Sequence, residues 1–350
     1  MRKLGFLCLA FLLAPAVTLT AQPRNMEIYW VDVEGGAATL VVAPSGESLL
    51  FDTGFQVAGD RDAKRIFAAA QQAGLKKIDY FVLSHYHADH AGGLTALAKM
   101  IPIEKCFDRG DFIEPPNQQW RDAYLAVCGG AKRKIVNPGD KIPLKGVQVD
   151  VVASDGRLLA KPVKGGGPNP LCATAEHKPA DTAENERMVG ALLTYGRFTF
   201  LDLTDLNWEK EMELACPVNK LGHVTMWQTD RHGASDGAAA PGFLYAIRPQ
   251  IVVVNNGPRK GLGGTSPAIP KAPDVHYERI AKTPGLEDIW QGHLSLLDKD
   301  PHHNTSEQMI ANLEETADCK GNWIKASVAP DGTFTMTNGR NGFSKSYTVR

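Results

Sequence analysis

Between residues 28 and 52 the apolar side chains come in three short β-branched runs, broken by Gly35-Gly36 and by Pro44-Ser45-Gly46. Runs of this length between turn residues predict a meander of strands. The period then lengthens: residues 61–75 place alanine-rich faces at helical spacing and stop at Gly74, which predicts a helix. A short apolar run at 77–83 predicts a strand, and 94–100 a helix after it. Further on, Pro115-Pro116 precedes a predicted helix at 120–127, and 139–152 predicts a hairpin that turns at Lys145-Gly146. Residues 250–254 form another apolar run. Near the end, Thr305-x-x-Gln308 has the form of a capping box and predicts a helix over 305–317. Residues 323–328 and 333–337, joined through Pro330-Asp331-Gly332, predict a terminal hairpin. Two stretches, 161–182 and 257–273, are rich in Gly and Pro and lack any period. Loops of that size are uncommon in compact domains and either border a site as lids or are surface insertions.

Composition adds bounds to this picture. The 350 residues are 43% hydrophobic and 22% charged, ordinary for a globular chain with a sizeable core. The opening residues carry Arg2 and Lys3, then an almost unbroken apolar stretch from Leu4 to Leu13, and reach Ala21. This predicts a secretory signal peptide over residues 1–21, cleaved after Ala21, and a secreted or periplasmic protein. A membrane anchor is the competing reading, but the stretch is shorter than the ~20 residues a spanning helix needs. No later segment approaches that length, so no integral membrane segment is expected in the mature chain. Losing Arg2 and Lys3 takes the formal charge from −1 to −3, which gives no electrostatic footprint for stable nucleic-acid binding. Five cysteines remain after that cleavage: Cys106, Cys128, Cys172, Cys216 and Cys319. They lack metal-knuckle spacing, and in an oxidising compartment they are expected to pair, Cys106 with Cys128 being one pairing, with one thiol left over.

The chemistry is concentrated after the 77–83 run. Ser84-His-Tyr-His-Ala-Asp-His-Ala-Gly-Gly93 contains His85-x-His87-x-Asp89-His90. Two imidazoles two residues apart at a strand end point to one side and can share a metal, leaving Asp89 and His90 to reach a second. Two adjacent divalent ions lower the pKa of a bridging water to about 7 and clamp the attacking and leaving oxygens of a displacement.

These residues resemble the signature of the metallo-β-lactamase-fold hydrolases. The segments Met26 to Val42 and Ser48-Leu-Leu-Phe-Asp-Thr-Gly54 are similar to the opening strands of the subgroup that contains the hydrolase domain of the competence protein ComEC. There the usual "DVGQGDA" reads Asp32-Val-Glu-Gly-Gly-Ala-Ala38. The resemblance implies an α/β, four-layer αββα sandwich in which residues 22–350 form a single hydrolase domain with a C-terminal β-hairpin extension. It further implies a bridging aspartate at Asp205, in Phe200-Leu-Asp-Leu-Thr-Asp205, with Thr204 where glycine is usual and Asp202 as the fallback. Met226-Trp-Gln-Thr-Asp-Arg-His-Gly-Ala-Ser235 is similar to the subgroup's "HHGS" element. It implies His232 as a ligand of the second metal, with His223 and His293 as rivals.

The His85 and His87 metal lacks a clear third ligand; His177, Asn185 or water could complete it. An oxygen-richer shell there would suit Mn²⁺ where Zn²⁺ is otherwise expected. Asp52 is expected behind the ligands, orienting the cradle. The resemblance therefore implies a hydrolase with two divalent ions and a metal-bound hydroxide as nucleophile. Asp89 is expected both as a ligand and as a proton carrier. The substrate, a small molecule or a polymer, is expected to be a phosphodiester. Lys164, Arg231, Arg259 and Lys260 are the candidate basic groups around it. A lactam or lactone, or a non-catalytic metal-binding role, are the alternatives.

Overall fold

The structure, a computed structural model, describes residues 1, 24–163, 165–179, 183–234, 237–264 and 275–350. Residues 2–21 of the expected signal peptide and Lys164 lie outside the described residues. Among the described residues no helix is long and apolar enough to cross a membrane.

Two large sheets organise the chain. The first runs Ser344–Thr348, Thr333–Asn338, Ile324–Val328, Met26–Trp30, Thr39–Val42, Ser48–Phe51, Ile78–Val82, Ile103–Asp108 and Arg133–Ile135. Its ladders are antiparallel as far as Ser48–Phe51 and parallel beyond it. The second runs Ile310–Asn312, Asp288–His293, Ile251–Val254, Met226–Gln228, Phe198–Asp202, Gly190–Tyr195, Gln148–Ser154 and Lys141–Ile142.

Alternation along the strands makes three cores out of these two sheets, because successive side chains leave a strand on opposite faces. Ile28, Trp30, Leu49, Phe51 and Val82 from the first sheet meet Val151, Leu193, Phe200, Val253 and Trp290 from the second. Their neighbours Tyr29, Leu40, Leu50, Ile78 and Phe81 face the other way, onto Ile66, Ala70, Leu94 and Tyr124 of the helices. On the far side, Leu192, Leu201, Trp227, Val252 and Val254 cover Trp208, Met212, Phe243 and Leu244. Helix, sheet, sheet and helix layers follow, which is the αββα sandwich.

Local predictions fare unevenly. The helix at Arg61–Gln72 forms, with Gly74 beyond it at φ +74°. The hairpin across Lys141–Ile142 and Gln148–Ser154 also forms. So does the Cys106–Cys128 disulfide, and a second bond joins Cys172 to Cys216. The helix predicted over 305–317 is wrong: a single 3-10 turn at Glu307–Met309 leads into the strand Ile310–Asn312. Ile310 and Ala311 are buried in the sheet beside Asp288–His293, and Thr305 spends its hydroxyl on the Ile289 carbonyl instead of a helix N-terminus. Tertiary pairing thus overrides the cap signal.

The C-terminal hairpin is also more than an extension. Ile324–Val328 pairs with Met26–Trp30 along its whole length, so this end of the chain completes the first sheet. The stretch 161–182 is tied down over its described part. It pairs Gly167–Pro168 with Val218–Asn219 and carries Cys172, bonded to Cys216.

Candidate metal centre

Four strands of the two sheets end at one place. Ser48–Phe51 delivers Asp52, Ile78–Val82 delivers the cradle, Phe198–Asp202 delivers Asp205, and Met226–Gln228 delivers His232. Carboxyl ends of strands are where open α/β sheets bind ligands. The two sheets are pinned together here by Thr39, whose hydroxyl donates to Gln228 Oε1 at 2.8 Å.

The helix after the cradle is broken in two, Ala88–Ala91 and Leu94–Leu97, by Gly92-Gly93. A Cβ on Gly93 would sit 2.1 Å from the Thr53 carbonyl, and one on Gly92 would sit 2.3 Å from the Gln56 nitrogen. The glycines therefore let the segment after Asp52 lie against the cradle, where Thr53 N–H donates to the His90 carbonyl at 2.7 Å.

Side chains that could hold a cation fall into two groups here. Asp89, His90, Asp205 and His232 bring one ligand atom each within 4.8 Å of one another, and so do His85, His87 and Asp205. Asp205 belongs to both. His232 Nε2 lies 3.2 Å from Asp89 Oδ2 and 3.1 Å from Asp205 Oδ1, and His90 Nε2 lies 3.4 Å from each. In the second group His85 Nε2 and His87 Nδ1 stand 3.0 Å apart.

Hydrogen bonds set which nitrogens face inward. Ser84 Oγ donates its one proton to Asp52 Oδ2 at 2.6 Å, so at 2.9 Å from His85 Nδ1 it accepts that ring's proton. The Nε2 lone pair of His85 is thereby turned into the site. Asp52 Oδ2 also takes His90 Nδ1 at 2.7 Å, which turns the Nε2 of His90 the same way. Asp52 holds a left-handed backbone, φ +57°, and thus orients one histidine of each group, directly or through Ser84.

These groups fit a divalent cation. His90 Nε2 and Asp205 Oδ1 are buried and face each other with no hydrogen-bond partner among the described residues, a state that ordinarily costs stability. His85 Nε2 and His87 Nδ1 converge at 3.0 Å, and with His85 Nδ1 already engaged by Ser84 they call for a shared cation or proton between them. Burial, then the neighbouring histidines, holds the His85 imidazole well below its ordinary pKa. Burial also lowers His90, but Asp89 and then Asp205 more than reverse it and hold that ring well above its usual value. Burial pushes Asp89 and Asp205 up; the surrounding histidines, led by His90 for Asp89 and His232 for Asp205, outweigh it and keep both carboxylates ionised.

Strain marks the distal part of the centre. Thr204, Arg231 and His232 have φ of +45°, +51° and +56°, conformations that side-chain-bearing residues adopt at a cost of order 1–3 kcal/mol. At Thr204 this explains why a glycine is usual, and the Thr204 carbonyl accepts the Arg231 N–H at 2.8 Å.

Several expected residues lie elsewhere. His177 is exposed and paired through Nδ1 with Glu209 at 2.8 Å, outside both groups. Asp202 is also outside them: it accepts from Thr204 N–H and Gln228 Nε2, and burial pushes it up to about 7. His223 is exposed, and His293 joins Asp32 and Cys319 in a separate cluster. Arg259 pairs with Glu315 on the surface. Lys260, by contrast, contacts the Asp89 carboxylate and lies over the Phe55 ring.

Asn185 lies in the 3-10 turn Glu184–Arg187, next to the residue that bonds the cradle backbone, with its side-chain oxygen buried and unpartnered among the described residues. Its neighbour Glu184 was not foreseen. Fully buried, it accepts the Tyr86 N–H at 2.8 Å, between the two cradle histidines, and is held in place by Arg109. Ser84 was likewise missed, although its place before His85 is a usable signal.

Residues 31–178 match the family model of the Metallo-beta-lactamase superfamily. The chain is similar to Recombination protein 2 of Haemophilus influenzae, 23% identical over 228 residues, which make up 65% of this chain and 24% of that protein. Competence protein ComA of Neisseria gonorrhoeae is 34% identical over 80 residues, 23% of this chain and 11% of that one. A UPF0173 metal-dependent hydrolase of Cupriavidus metallidurans is 32% identical over 91 residues, 25% and 29% of the two chains. The chain thus spans less than a third of the length of each of these relatives. Among solved structures, the metallo-beta-lactamase fold protein YhfI of Bacillus subtilis aligns with a TM-score of 0.43 at 12% identity, covering 75% of this chain and 96% of that one. Residues 31–178 thus carry the metallo-beta-lactamase superfamily domain.

Proposed function

We propose that this chain is a metal-dependent hydrolase whose centre takes two divalent ions and acts on a phosphodiester. The observation that carries the reading is Asp205, a single buried carboxylate common to two groups of ligands. His85 and His87 would hold one ion and Asp89, His90 and His232 the other, with Asp205 between. Asn185 is the candidate to complete the shell on the His85 side. Such a pair of ions supplies a water activated near neutral pH and positive charge against the charge that develops on the scissile group.

The protein's own groups do the positioning. Ser84 and Asp52 engage the Nδ1 of His85 and His90, leaving Nε2 of each to face the centre, where a bound cation would take the place of the proton that Asp89 and Asp205 favour on His90. Asp89, a carboxylate at the edge of the site, carries a proton from the attacking water towards the leaving oxygen. The Lys260 ammonium beside it remains 42% exposed, and a cation at the mouth favours an anionic substrate over a neutral lactam. The two disulfides, and the apolar segment behind Arg2 and Lys3, support secretion into an oxidising envelope compartment.

Purified protein loaded with Zn²⁺ or Mn²⁺ is expected to hydrolyse bis-p-nitrophenyl phosphate and not nitrocefin, with turnover lost in His85→Ala. Turnover of nitrocefin alone would transfer the reading to a lactam hydrolase. Full metal occupancy without turnover of either would leave a binding protein.

A further inference from the structure

We propose that Asp32, His293 and Cys319 form a further cation site, separate from the Asp205 centre, that takes a thiophilic divalent ion such as Zn²⁺. Their ligand atoms all lie within 4.8 Å of one another. They come from three distant segments: the loop after Met26–Trp30, the end of Asp288–His293, and the loop that follows Ile310–Asn312.

Each group turns a ligand atom towards the others, and the Cys319 thiol, which donates to Asn312 Oδ1 at 3.8 Å, would give up that proton to bind an ion. His293 Nδ1 lies 3.3 Å from the Leu294 carbonyl, an acceptor only, so the proton sits on Nδ1 and the Nε2 lone pair faces Cys319 Sγ at 3.9 Å. Asp32 uses Oδ1 to accept the Glu34 N–H at 2.8 Å. Its Oδ2 is buried, 3.7 Å from Arg65, and has no hydrogen-bond partner among the described residues. Cys319 is the free cysteine among the described residues, the other four being bonded in pairs. Sulfur, imidazole and carboxylate together form a ligand set that suits Zn²⁺, with one tetrahedral position left over.

The charge around the cluster leans the same way. Asp32, Glu34 and Asp62 pair with Arg61 and Arg65, three carboxyl groups to two guanidiniums, and burial pushes Asp32 up to about 7, so that a cation beside it would favour its ionised form. A cysteine–histidine nucleophile pair fits less well, since the second nitrogen of His293 meets a carbonyl rather than a carboxylate. An ion here would also brace the Asp205 centre: Asp32 opens the loop in which Ala37 N–H donates to the Asp89 carbonyl at 3.0 Å.

Cobalt distinguishes this site from the other centre, which contains no thiolate. Metal-free protein with both disulfides intact, titrated with Co²⁺, is expected to develop a near-ultraviolet sulfur-to-cobalt charge-transfer band. The band should persist in His87→Ala and vanish in Cys319→Ser and His293→Ala. Absence of the band in the unaltered protein at saturating Co²⁺, or its survival in His293→Ala, would overturn the site. A measurement without variants guards against misfolding. Saturating Zn²⁺ is expected to slow modification of Cys319 by a thiol reagent about tenfold or more, and an unchanged rate would also overturn it.

Discussion

The two halves of the metal centre share Asp205 and differ in almost everything else. The half with His90 and His232 adds Asp89, so two carboxylates and two imidazoles converge within 4.8 Å. The half with His85 and His87 has two imidazoles and the shared carboxylate. One half therefore offers a full set of four groups to an ion that prefers about four, and the other offers three. A contiguous motif can thus place ligand candidates in both groups and still leave one group a member short.

The largest break in this comparison comes from Asp205→Asn, which removes the one group common to both halves. Both ions should be lost or weakened together, and diester hydrolysis should fall on the order of a thousandfold, measured as kcat/KM at saturating metal. Asp52→Asn comes next. Asp52 reaches His90 directly and His85 through Ser84, so metal affinity should fall about 10–100-fold in both halves, read by competition with a chelating dye. Unequal loss, confined to the His90 half, would show that the Ser84 relay does not act.

Asn185→Ala sharpens the contrast. It should weaken the His85 half alone, by about tenfold on the scale of lost ligand support, whereas His177→Ala should leave both affinities unchanged. The smallest effect concerns the support of the His232 loop. His276 is fully buried, stacked on Trp227, and its Nδ1 lies 2.8 Å from the Ala234 carbonyl. Burial first, then Arg279, lowers its pKa to about 3. A histidine kept neutral in the fold contributes stability that is fully present above its unfolded pKa of about 6.5 and is lost as pH falls from there towards 3. Unfolding of metal-free protein between pH 6.5 and 5 should show up to about 1 kcal/mol of loss per pH unit from this group. His276→Asn should reduce that slope.

The cradle was legible because its chemistry is contiguous: four ligand candidates stand within six positions after an apolar strand. Asp205 and His232 were legible through resemblance, even with Thr204 and Arg231 in place of the usual residues. The positioning groups were harder to read, because Glu184 meets Tyr86 across 98 positions and Gln228 meets Thr39 across 189. Nothing local in sequence marks such pairings. The layered fold was legible through the resemblance, with which the strand and helix runs agreed. The 305–317 helix misled for the opposite reason, a local cap signal being outweighed by burial of Ile310 and Ala311 in the strand beside Asp288–His293.

The central claim is an asymmetric two-ion centre hinged on Asp205. Its most direct test is a Zn²⁺ titration followed by calorimetry in a Cys319→Ser background, where ions counted belong to that centre alone. Two ions per chain are expected in two separable steps, with His87→Ala abolishing the weaker step and His232→Ala the tighter one. A single ion per chain, or equal effects of the two substitutions on both steps, would contradict it.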